Sequence, residues 1–149
     1  MDHIDKKILM ILQENGKISN VALAKEIGLT PPATLERVRK LEEASYIKGY
    51  KAILNGKKLD RGLSCLITIT LKQHAQKNLH IIEDQLKNLE EVEHIYFVTG
   101  RFYYVIKVNL KDIDELRCFM VDRLTNIDLI DRAESLVILA SDVERGIKI

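Results

Sequence analysis

Tryptophan is absent from this 149-residue chain, and proline and cysteine occur only twice each. Cys65 and Cys118 stand far apart inside apolar runs. That is no disulfide framework of a small secreted domain, and both read as core thiols packed like small hydrophobes. No stretch approaches the roughly 18 apolar residues of a membrane-spanning helix. Met1 to Leu12 already forms an amphipathic helical pattern with acidic residues, unlike a secretory leader, so a cytoplasmic location is expected. Catalytic constellations are missing as well. His3, His74, His80 and His94 have no metal-ligand spacing, and there is neither a glycine-rich phosphate loop nor a GxSxG elbow. The chain is therefore expected to be no enzyme and to need no cofactor or metal.

What is present describes an ordinary globular protein, with 46% hydrophobic and 30% charged residues in a length that suits one medium domain or two small ones. The net charge of +1 hides a division. Residues 1–58 hold 11 Lys and Arg against 7 Asp and Glu, a balance of +4; residues 59–149 hold 12 against 15, a balance of −3. The basic half presents an attractive field to phosphates, and binding through it should weaken with salt.

Within that basic half, Ser19 to Leu41 contains two short helical patterns around a sharp break. Val21, Leu23, Ala24 and Ile27 give the first an apolar face, and Leu35, Val38 and Leu41 recur at helical spacing in the second. Gly28 lies where the first helix should stop, Thr30 where the next should be capped, and Pro31 in a first turn that needs no backbone donor. Helix, tight turn, helix is the reading. With Asp2 capping an earlier helix whose face is Ile4, Ile8, Ile11 and Leu12, three short helices share one small core. Thr34, Arg37, Arg39 and Lys40 are left for the outer side of the third helix, which suits a DNA major groove. Thr30, Pro32, Thr34, Arg37, Arg39 and Lys40 are the expected contact set. In it Thr30 and neighbouring backbone donors hold a phosphate, Pro32 and Thr34 meet base edges or thymine methyls, Arg37 reads a base, and Arg39 and Lys40 meet the backbone.

The residues Asp5, Ile8-Leu9, Leu12, Gly16-Lys17-Ile18-Ser19, Leu23-Ala24, Gly28-Leu29-Thr30, Arg37-Val38, Leu41-Glu42 and Ile47-Lys48-Gly49-Tyr50 together make a long pattern. It resembles the N-terminal half of the leucine-responsive regulatory protein/AsnC family of transcription regulators. The resemblance implies a helix-turn-helix that binds double-stranded DNA, and it offers Arg37 a second role in bracing the fold. Ser45 stands where the family usually has glycine, a departure expected to cost little.

Beyond the helices, Tyr46 to Leu59 reads as a short strand and hinge with a turn at Asn55-Gly56. From Leu63 the period changes to two. The patterns predict a strand at 63–71, a helix at 75–89, strands at 92–99 and 102–110, a helix opened by Asp112 and Glu115, and a last strand at 135–140. Ile113, Leu116, Met120 and Leu124 should face inward from that second helix. The order βαββαβ predicts an α+β protein: a helix-turn-helix domain at 1–45, a linker at 46–62 and a ferredoxin-like sandwich at 63–149. Leu66, Tyr96, Val98, Val105 and Ile138 fall on the sheet face that the helices leave bare, an expected subunit contact. The resemblance implies a homodimer through this domain, assembling further to a tetramer or octamer.

The resemblance also implies an effector site at the turn between the second and third strands, where family members that sense amino acids run glycine, acid, aromatic, aspartate. Here Thr99 and Gly100 are followed by Arg101 and Tyr103, which take both acidic positions. Arginine favours a carboxylate or phosphate over an ammonium group. Three readings stand: a different, anionic effector; no effector; or a turn that only supports assembly. Two alternatives to a specific regulator also remain, an enzyme like the siroheme decarboxylases that share this outline, and an architectural protein that bends or wraps DNA.

Overall fold

The computed structural model describes residues 1–140 and 146–149; residues 141–145, within the expected C-terminal domain, lie outside the described residues. The chain divides into two compact units, one of Met1–Ile53 with the last residues of the chain, the other beginning at Leu54.

The first unit is three helices, α1 (His3–Glu14), α2 (Asn20–Ile27) and α3 (Pro31–Glu43). A reciprocal capping box opens α1: the Asp5 N–H donates to Asp2 Oδ1 at 2.8 Å and the Asp2 N–H to Asp5 Oδ2 at 3.0 Å. Gly28, at φ 73°, ends α2 in the left-handed conformation that glycine adopts without cost. Ile8, Leu9, Leu23, Ile27 and Leu41 form the core, with Val38 and Ile47 packed against them. Each such side chain contributes about 1.5–3 kcal/mol by leaving water.

The inward phase of α3 differs from expectation. Leu35 is 59% exposed while Thr34 is fully buried, and Val21 on α2 is exposed as well. Thr34, Arg37, Val38 and Leu41 fit the i, i+3, i+4, i+7 rule, whereas Leu35 is followed at i+4 and i+7 by Arg39 and Glu42. Thr34 tolerates burial because its hydroxyl donates to the Thr30 carbonyl at 3.0 Å.

Past α3, the Tyr46 N–H donates to the Leu41 carbonyl and the Ser45 N–H to that of Glu42, both at 2.9 Å. This is a Schellman motif, with Ser45 at φ 60° in the position that favours glycine. The expected strand at 46–59 is not formed. Residues 47–55 pair with no strand among the described residues, and a 3₁₀ turn follows at Gly56–Leu59. At the other end of the chain the Gln13 side-chain amide both donates to the Ile147 carbonyl (3.1 Å) and accepts its N–H (2.6 Å).

In the second unit, β1 (Leu63–Leu71), β2 (Val92–Phe97), β3 (Tyr104–Leu110) and β4 (Ile130–Val137) form an antiparallel sheet in the order β2-β3-β1-β4. That is the ferredoxin-like arrangement. Cys65, Ile67, Ile69 and Leu71 of β1 and Tyr104, Ile106, Val108 and Leu110 of β3 face the helices α4 (Leu79–Lys87) and α5 (Ile113–Cys118). The first expected helix opens as a 3₁₀ turn at Gln73–Asn78, and the second continues past Cys118 as a wide π turn, Phe119–Leu124. Phe119 is buried in that wide turn, whereas Ile113, at the start of α5, is 62% exposed, reversing one expectation. Cys118 is exposed too, so only Cys65 is a core thiol. β4 begins five residues earlier than expected: it lies at an edge, and its alternation is hidden by Asp131, Arg132 and Glu134.

On the opposite sheet face Leu66 pairs in register with Leu136, and Val105 with Tyr96. Val98 and Ile138 are half-buried just beyond β2 and β4. Between these residues lies Thr68, 8% exposed, whose buried hydroxyl has no hydrogen-bond partner.

Candidate nucleic-acid interface

The third helix presents an outer face built by its own cap. Thr30 Oγ1 accepts the Ala33 N–H at 3.4 Å, and the Thr34 N–H donates to the Thr30 carbonyl at 3.0 Å. Pro31 and Pro32, at the first two helical positions, have no N–H to offer. The expected phosphate site at this terminus therefore lacks its backbone donors, since all four residues of the first turn have theirs missing or engaged.

The six expected contact residues separate into two groups. Thr30, Pro32, Arg39 and Lys40 are exposed along the outer side of α3. Thr34 is not: it is fully buried and its hydroxyl is already bonded, so it cannot reach a base edge. Arg37 turns toward α1, where its Nη1 donates to Asp2 Oδ2 at 2.8 Å and Asp5 Oδ1 at 2.7 Å. These are the same carboxylates that form the capping box, so Arg37 ties α3 to the start of α1. The backbone N–H of Asp5 and the Arg37 guanidinium hold the Asp2 carboxyl below the usual range, and the two acids raise Arg37 above its own. These ion pairs are the contacts that the second of the two roles considered for Arg37, bracing the fold, calls for.

Arg39 meets Glu36 at 3.2 Å and Glu43 at 3.6 Å, and Lys40 meets Glu36 at 3.7 Å. All of these groups are exposed, and such pairs are worth little in water, so either cation can exchange its acid for a phosphate. Sequence reasoning missed Leu35, which lies on the exposed side four residues before Arg39 and three after Pro32. The charged residues at its i+4 and i+7 positions were the signal that could have found it.

The structure brings Thr99, Gly100, Arg101 and Tyr103 together in the turn between β2 and β3. The Val98 N–H donates to the Tyr103 carbonyl at 3.0 Å and the Tyr103 N–H to that of Ile69 at 2.9 Å, which fastens the turn to the sheet. Gly100 has φ 110°, and the exposed Arg101 guanidinium lies 4.7 Å from the centre of the Phe102 ring. Among the described residues no acid pairs with Arg101. Cavities of about 500 and 390 Å³ lie in the first unit.

Two family models match the chain: the AsnC-type helix-turn-helix domain over residues 1–42 and the Lrp/AsnC ligand binding domain over residues 64–147. The leucine-responsive regulatory protein of Escherichia coli K12 is 35% identical over 139 residues, 93% of this chain and 85% of that protein. Among solved structures, Escherichia coli AsnC superposes with a TM-score of 0.87 at 31% identity, covering 99% of this chain and 97% of its own. A transcriptional regulator of Neisseria meningitidis, solved as its complex with L-Met, superposes with a TM-score of 0.92 at 27% identity, covering 97% and 94%.

Proposed function

We propose, from the premise that this chain belongs to the Lrp/AsnC family of DNA-binding transcription regulators, that it acts as a sequence-specific oligomer whose paired α3 helices enter successive major grooves. The observation that carries the reading is the division of α3: an inner side of Thr34, Arg37, Val38 and Leu41, and an outer side that offers Thr30, Pro32, Arg39 and Lys40. Pro32 supplies apolar contact to a base, Thr30 a hydroxyl, and Arg39 and Lys40 charge for phosphates or guanine. One small helical unit buries little DNA surface. Two on a dyad meet half-sites about 34 Å apart, one helical turn of DNA.

The subunits meet through the bare sheet face around Leu66, Val105, Tyr96 and Leu136. The unpaired Thr68 hydroxyl in its middle supports this, since burial without a partner is costly and a second subunit can supply one. The dimers assemble further to tetramers or octamers and work in the cytoplasm, where the DNA is. The effector is an amino acid or a related acid held by the ligand-binding domain, as the methionine complex of the Neisseria regulator suggests. At the turn of Thr99, Gly100, Arg101 and Tyr103, Arg101 would take the ligand's carboxylate. Neither the E. coli relatives nor the Neisseria regulator is named as a decarboxylase, which leaves that alternative without support.

DNA selection from a random pool, run at two salt concentrations, tests the proposal. A two-fold symmetric motif is expected, lost by the Arg39→Ala, Lys40→Ala variant. Salt-sensitive binding with no motif would refute sequence specificity and favour an architectural role, and no binding at either salt would refute the interface itself.

A further inference from the structure

Leu35 has no part in the core of the first unit, and its exposure of 59% is high for a leucine in the middle of a helix. At 100° per residue it lies 40° from Arg39 and from Pro31 and 60° from Pro32, so an apolar stripe runs from the prolines through Leu35 to a cation. The inward-facing residues Thr34 and Leu41 lie about 100° and 120° around the helix from Leu35. Val38, between them, is only half-buried.

A duplex offers such a stripe one apolar feature, the C5-methyl group of thymine in the major groove; every other base edge there asks for a hydrogen bond that leucine cannot make. Covering the Leu35 side chain and a methyl group together removes both from water, while Arg39 alongside keeps the helix against the anionic backbone. Cytosine carries no methyl at the matching position, so the contact discriminates as well as binds. The occupant is therefore DNA rather than a protein surface, because the stripe ends in the exposed Arg39 and belongs to the half of the chain with the +4 balance.

We infer that Leu35 is a specificity-determining residue that reads a thymine methyl group in each half-site. The inference rests on the DNA-binding reading above. It is tested with the full-length protein on the DNA it selects, each thymine being replaced in turn by deoxyuridine, which removes only the methyl group. At one thymine in each half-site the replacement should weaken binding by the unmodified protein about 3-fold to 10-fold, the range expected for covering one methyl group. Leu35→Ala should bind the thymine form more weakly by a similar factor and no longer distinguish thymine from deoxyuridine there. Its melting temperature should hardly move, since the side chain is exposed. Should Leu35→Ala not fold, Leu35→Met replaces it, with a reduced but retained methyl preference expected.

Indifference of the unmodified protein to every deoxyuridine would overturn the inference and leave sequence-specific binding intact. Retention of the full methyl preference by Leu35→Ala would assign the contact to another residue. Failure to select any motif would remove the sequence-specific reading, and the inference with it.

Discussion

Replacing Ser45 by glycine should stabilise the first unit, although it deletes a side chain. Ser45 ends α3 at φ 60°, and an L-residue in that region carries roughly 1–2 kcal/mol of steric cost. Glycine escapes this cost but loses more backbone freedom on folding, roughly 0.5–1 kcal/mol. The difference favours glycine by about 0.5–1 kcal/mol, because the two Schellman hydrogen bonds at Ser45 and Tyr46 are made by the backbone and survive the change. For a unit of this size that is a rise in melting temperature of about 3–6 °C, read by circular dichroism or calorimetry. Gly28→Ala supplies the converse. An added Cβ there meets nothing within 4 Å, so its cost is conformational, from φ 73° alone, and the expected loss is about 1 kcal/mol. A Ser45→Gly variant that melts at or below the parent temperature would refute the reasoning and imply that the serine side chain stabilises the turn by more than its strain costs.

Four further outcomes are expected. Thr34→Val, which keeps the buried shape but removes the hydroxyl bonded to Thr30, should leave DNA affinity within about twofold and change stability by about 1 kcal/mol or less; Arg37→Ala should lower the melting temperature far more than it lowers intrinsic affinity, and a large affinity loss in either folded variant would contradict the inner face. Glu115 is held below the ordinary carboxylate range by the Lys111 N–H and by Arg61, whose Nη1 lies 2.6 Å from its Oε1. A carboxylate with a lowered folded value contributes stability in full above its unfolded value near 4.5 and loses it as acid protonates the folded form; acid titration of the second unit should therefore show less destabilisation below about pH 4.5 in Glu115→Gln than in the parent, and identical curves would deny the coupling. Finally, Leu66→Glu, placed on the bare sheet face, should reduce the mass measured by light scattering toward that of one chain, and an unchanged oligomer would move the interface elsewhere.

The sequence was most legible where pattern and chemistry agree. The capping residues Asp2 and Thr30 and the stop at Gly28 mark helices that form where expected, because each satisfies backbone donors locally or supplies a positive φ. The alternation from Leu63 to Leu71 likewise gives β1 its true bounds. Illegible features depended on neighbours distant in sequence. Leu35 and Thr34 exchange their expected places because packing against α1 and α2 selects the phase of Val38 and Leu41, a choice that only the charges at Arg39 and Glu42 signal in the sequence. Arg37 appeared to be a free cation until the fold brought Asp2 and Asp5, more than 30 residues away, within 2.8 Å. β4 was displaced because an edge strand can carry Asp131, Arg132 and Glu134, which blur its apolar face. Pro31 sits in the first turn as expected, but the N–H groups that Pro31 and Pro32 both lack take helical backbone donors away from the phosphate site assigned there.

Which side of α3 meets DNA is measured most directly by the salt dependence of binding. With the selected DNA, the logarithm of affinity falls with the logarithm of salt concentration by about 0.9 for each phosphate neutralised. Arg39→Ala with Lys40→Ala should therefore reduce the slope by about 2 for each subunit engaged, while Arg37→Ala leaves it unchanged. A slope unaffected by loss of Arg39 and Lys40, or reduced by loss of Arg37 in a folded protein, would contradict the assignment of the outer face.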